Sequence, residues 1–167
     1  MTQRERTDRS IRRRGAVLPL VLLGIGLGGF LDGIVLHQVL QWHHLLSAHV
    51  PADTVDGLRV NTLADGAFHA ATWVFTVAGV LLLYREIRGG AAVRWGALFG
   101  GLLTGWGGFN VLEGLVDHHL LGLHHVRPGP DELLYDLAFL AWGAVMLVAG
   151  IALVRRAGRD ASGDRAG

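Results

Sequence analysis

Long apolar runs alternate with short polar breaks along this chain, and the runs have the length of membrane spans. Ala16 to Leu46, Thr62 to Tyr84, Val93 to Leu121 and Leu133 to Val154 each reach the roughly 20 helical residues that a hydrocarbon core about 30 Å thick requires. Between them lie the polar, Pro51-containing stretch His49 to Asn61, the short turn Arg85 to Ala92, and His124 to Glu132 with its Pro128-Gly129-Pro130 breaker. The pattern predicts an all-α fold, an integral membrane four-helix bundle. A single transmembrane domain over 16–155 sits between an Arg-rich tail, 1–15, and a second tail, 156–167.

Composition agrees and narrows the chemistry. The 167 residues are 51% hydrophobic with a mean hydropathy of +0.39, which argues against a soluble enzyme. Cysteine is absent, which removes disulfides, thiolate metal sites, iron–sulfur clusters and cysteine nucleophiles. The 15 basic residues are all arginine and nearly balance the 14 acids, so nothing points to a nucleic-acid partner. Their placement carries more than their sum. Arginines crowd the tail before Ala16, the Arg85 to Arg94 turn and the segment after Val154, leaving only Arg59 and Arg127 in the other two loops. Read by the positive-inside rule, both termini lie on the cytoplasmic side of the lipid bilayer. No small-residue cleavage site follows the first apolar run, so that run reads as an uncleaved anchor rather than a secretion signal.

The first and third spans match when shifted by 81 positions. Asp32-Gly33-Ile34-Val35-Leu36-His37 falls on Glu113-Gly114-Leu115-Val116-Asp117-His118, and His43-His44 falls on His124-His125. Asp65 with Phe68 and Asp136 with Phe139 link the second and fourth spans more weakly. A helix pair copied once explains matched acids and histidines better than chance among Gly- and Leu-rich helices does. Two copies running in the same direction are related by an axis along the membrane normal, which sets equivalent residues face to face.

Ionisable residues are costly inside a span and are usually functional there. Rise per residue places Asp32, Asp65, His69, Glu113 and Asp136 in one layer, toward the outer face, with His37, Asp117 and His118 about one turn beyond. Asp65 and His69, like Glu113 and Asp117, are spaced i, i+4, so each pair can reach a common ion. Carboxylates and imidazoles projecting inward from four helices are how bundles build dinuclear metal sites. The expected ligands are therefore Asp32, His37, Asp65, His69, Glu113, Asp117, His118 and Asp136. His43, His44, His124 and His125 fall at the outer water interface, where they read individually as surface residues and collectively as an entry route or second site. The tryptophans and glycine pairs read as interfacial anchors and close-packing positions.

The segments Gly29 to His44, Asn61 to His69 and Glu113 to His119 resemble a bacterial family of four-span membrane proteins, domain of unknown function 2243. The likeness extends from Gly28 to Trp142. It implies the topology and supplies no catalytic residues; a partner in respiratory-complex or metal-assembly machinery is a further implication of the resemblance.

From the residues themselves, the leading expectation is a membrane metalloprotein, either a metalloenzyme or a metal-handling and assembly factor. Nitrogen and oxygen ligation without sulfur suits zinc, iron, manganese or copper(II). One alternative is a b-type haem electron-transfer protein with His37 and His118, or His44 and His125, as axial ligands. Another is a proton or cation pathway, against which stands the scarcity of polar residues between Ala16 and Phe30 and between Val74 and Leu83.

Overall fold

A computed structural model describes residues 17–163, and these are helical apart from their connecting loops. Helix α1 spans Val17–Asp32 and continues without a break into a π-helical segment, Gly33–Val39. Helix α2 spans Val55–Arg88, and α3 spans Trp95–Glu113 before a second π-helical segment, Gly114–Leu120; α4 spans Glu132–Gly163. The tail before Val17 lies outside the described residues.

Three of these stretches, Val17–Val39, Val55–Arg88 and Glu132–Arg159, are long and apolar enough to cross a membrane. Four spans were expected. The α3 segment has the length, but Trp95, Trp106, Asn110, Glu113 and its many glycines dilute its apolar character. Those glycines have a packing role. The helices stand in the order α2, α1, α3, α4, with α1 and α3 in the middle. A Cβ on Gly24 would strike the Leu102 carbonyl oxygen, and one on Gly105 would strike that of Val21, so α1 and α3 touch backbone to backbone. Such small-residue contacts let helices associate in lipid, where there is no hydrophobic drive between them.

The flanking pairs use the same device. Gly79 of α2 fits against Pro19 and Leu23 of α1, and Gly150 of α4 fits against Gly100 and Thr104 of α3. Gly26 rests on Thr72 and Thr76, while Gly107 rests on Gly143 and Leu147.

Element ends differ from the sequence reading at the polar side of the bundle. The first run does not stay helical to Leu46: regular structure stops at Val39, and Gln41 turns the chain with a φ of 49°. Gly122 makes the corresponding turn, with φ 57°, just beyond the second π segment. The second helix starts at Val55, earlier than Thr62, because Thr54 caps it by accepting a hydrogen bond from the Gly57 amide at 3.1 Å. Two loops, residues 40–54 and 121–131, thus close the same end of the bundle and meet where the Ala48 amide donates to the Leu123 carbonyl.

Candidate metal centre

The π segments position the site. The Leu40 amide donates to the Val35 carbonyl at 2.8 Å and the Leu121 amide to that of Val116 at 2.7 Å, both i→i+5 bonds that widen the helical turn. The next bonds are wider still, Trp42 to Leu36 and Leu123 to Asp117. The widened turns release the chain early, so His43 and His124 return into the bundle alongside His37 and His118.

All four rings are buried, at 0% exposure for His37 and His124 and 3% for His43 and His118. Their centroids form a tight cluster: His43 stacks on His124 at 4.4 Å, His37 meets His43 at 4.5 Å, and His118 meets His124 at 4.8 Å. This corrects the sequence reading of His43 and His124 as interfacial residues. The error came from extending a regular helix past Val39 and Leu120, which carried them outward.

Three of the four rings are held from behind through Nδ1. His37 donates to Asp65 Oδ1 at 2.9 Å, His43 to the Val126 carbonyl at 2.8 Å, and His124 to the Leu45 carbonyl at 3.1 Å. His118 Nδ1 faces Asp136 Oδ1 at 3.5 Å and makes no hydrogen bond. A proton fixed on Nδ1 leaves Nε2 with its lone pair. Those lone pairs point inward. Nε2 of His37 and of His43 have no hydrogen-bond partner, and Nε2 of His118 and His124 stand 3.1 Å apart. That spacing is a hydrogen bond when His118 carries its proton on Nε2, and it is also a distance that one cation can bridge between two imidazoles. Burial, reinforced by the neighbouring His118 ring, pushes the His124 pKa down to about 3, so its imidazole is neutral at pH 7.

Beside the rings lie two buried carboxylates, Asp32 and Glu113. Asp32 Oδ2 stands 3.5 Å from His37 Nε2, and Glu113 Oε1 stands 3.8 Å from His124 Nε2. Neither Asp32 Oδ2 nor either Glu113 oxygen has a hydrogen-bond partner. Two triads have donor atoms within 4.8 Å of one another: His37, His43 and His124, and Glu113, His118 and His124. Buried imidazoles with Nδ1 held by carboxylate or carbonyl and Nε2 unengaged have the form of metal ligands with their supporting shell.

The remaining expected ligands take other places. Asp65 spends Oδ1 on His37 Nδ1 and the Leu45 amide, and Oδ2 on His44 Nδ1 at 2.7 Å. Asp136 likewise takes the Val126 amide at 2.9 Å and His125 Nδ1 at 2.6 Å. Both carboxylates therefore face the backs of imidazoles. His69 turns its Nδ1 to the Asp65 carbonyl at 2.8 Å and leaves its buried Nε2 without a partner, but it lies against Gly33, outside both triads. Asp117 is half-buried and also outside them. His44 and His125 sit behind the cluster, with side chains 15% and 32% exposed.

A family model described as "Predicted membrane protein (DUF2243)" matches residues 20–157. No curated protein and no solved structure matches the chain.

Proposed function

The chain belongs to this family of predicted membrane proteins, and on that premise we propose that it is an integral membrane metal-binding protein whose centre lies at the loop end of the bundle. The observation that carries the reading is the set of four buried imidazoles, three of them hydrogen-bonded through Nδ1, with Nε2 atoms converging beside Asp32 Oδ2 and both Glu113 oxygens, none of which has a hydrogen-bond partner. Leaving such groups buried and uncompensated costs several kcal/mol each in a lipid setting. A bound cation removes that cost. First ligands are His37, His43, His118 and His124 with Asp32 and Glu113, and Asp65 and Asp136 hold the rings from behind.

Six nitrogen and oxygen donors without sulfur suit zinc, iron, manganese or copper(II), with room in the donor count for two ions. The role is that of a metalloenzyme or of a metal-handling or assembly factor. The arginine distribution supports cytoplasmic termini and a centre toward the outer face, and the family resemblance supports a bacterial inner membrane as the bilayer. Duplication of a helix pair is supported by matched geometry. His44 on Asp65 has its counterpart in His125 on Asp136, the Leu45 amide on Asp65 in the Val126 amide on Asp136, and His43 on Val126 in His124 on Leu45. A haem between His37 and His118 gains no support from these contacts, because imidazoles of the cluster already stack on one another.

The test is elemental analysis of protein purified in mild detergent without chelator, before and after incubation with each candidate metal. One or two equivalents are expected. His124 belongs to both triads, so His124→Ala should lose at least half of the bound metal while its helical circular dichroism is kept. A wild-type protein that refuses every metal, or a folded His124→Ala protein of unchanged stoichiometry, overturns the reading.

A further inference from the structure

The centre is sealed: its six donors are between 0% and 7% exposed, so a cation reaches it only by passing the residues around it. Two partly exposed imidazoles stand at its edge, His44 and His125, each bonded to the carboxylate that backs an inner ring. Their surroundings differ in charge. Near His44, the residue equivalent in spacing to Glu132 is Asn61, a neutral amide spent entirely on the backbone; its Oδ1 accepts from the Leu46 amide and its Nδ2 donates to the Val50 and Gly57 carbonyls. Near His125, the Glu132 carboxylate lies 3.8 Å from Nε2 and is itself 45% exposed. The Asp136 bond at 2.6 Å holds the His125 ring through Nδ1 and turns Nε2 toward that carboxylate. Arg127 of the same loop is engaged elsewhere, over the Trp42 and Tyr135 rings and on the Tyr135 hydroxyl at 2.7 Å.

We propose that His125 and Glu132 form a capture site for a divalent transition-metal cation, through which the buried centre is loaded. This rests on the metal-centre reading and adds a direction to it. One imidazole nitrogen and one carboxylate, both reachable from water, make a weak site suited to hand-over rather than retention. Behind it, Asp136 is shared between His125 and His118, and His118 belongs to the triad that already includes a carboxylate, Glu113. The cation thus moves from His125 and Glu132 to Glu113, His118 and His124. Loading is one-sided, since the His44 face offers no second donor in Asn61.

Cobalt(II) uptake by the full-length, metal-free protein in detergent, followed by the visible absorption of the bound ion, tests this. Glu132→Gln removes one exposed charge and leaves the centre untouched. Its uptake rate should fall about threefold or more and depend less on ionic strength, with the final stoichiometry unchanged. His125→Ala should slow uptake further, and His44→Ala should load at a rate close to wild type. Wild-type rates in Glu132→Gln, or a slower His44→Ala than His125→Ala, overturn the capture site while leaving the centre standing. A wild-type protein that takes up no metal at all overturns the centre as well.

Discussion

Asp65 accepts three hydrogen bonds on two oxygens, from His37, His44 and the Leu45 amide, and so fixes the orientation of a ring it does not share a helix with. If His37 is a ligand, this carboxylate sets its tautomer and ring orientation. Asp65→Asn should then weaken metal affinity by roughly 10- to 100-fold with stoichiometry retained, as measured by competition against a chromophoric chelator. Unchanged affinity would show that His37 does not bind the ion. The sequence already marks Asp32, His37, Glu113 and His118, because ionisable groups inside apolar runs have few cheap alternatives to a shared interior site. It offers His43 and His124 only as an entry route or second site at the interface, not as members of the buried cluster. Their burial follows from where the helix ends, and the only hint of it in the residues is that His43-His44 recurs as His124-His125.

Among the helices, the decisive contacts are backbone contacts. The α1–α3 crossing at Gly24 and Gly105 has no room for a side chain, whereas nothing lies within 4 Å of the position a Cβ would take on Gly66, in the exposed middle of α2. Gly105→Leu should therefore lower the thermal midpoint sharply, beyond the ~1–3 kcal/mol usual for overpacking, because carbonyl oxygens rather than flexible side chains must move. Gly66→Ala should raise it, stabilising the fold by ~0.5–1 kcal/mol through the lower entropy of the unfolded chain. Thermal melts in detergent decide both, and a Gly105→Leu protein as stable as wild type would refute the crossing. The apolar runs announce four helices, yet their angular pattern misleads beyond Gly33 and Gly114. A step of 100° per residue places His37 and His43 on different faces. The i→i+5 bonding of the two π segments and the turns at Gln41 and Gly122 bring them together instead. Hydropathy carries no record of that change in winding.

On the scale of the molecule, each loop holds a ring that belongs to the other: His43 donates to Val126, and His124 donates to Leu45. Residues 1–89 and 90–167, expressed as separate chains cut within the Gly89-Gly90 turn, should neither bind metal alone nor do so after mixing of unfolded material without lipid or detergent. Co-expressed in one membrane, they should recover the stoichiometry of the intact chain, measured after co-purification through a tag on one fragment. Metal retained by either fragment alone would contradict this mutual dependence. The exchange also bears on descent. If the two helix pairs arose from one, a solitary pair could orient neither ring, so the ancestor would have had to work as a homodimer, two identical strangers clasping wrists. Joining the genes would then have freed each half to vary separately, and the pairing of Glu132 with Asn61 is where such drift would have turned a symmetric vessel into one with a single mouth.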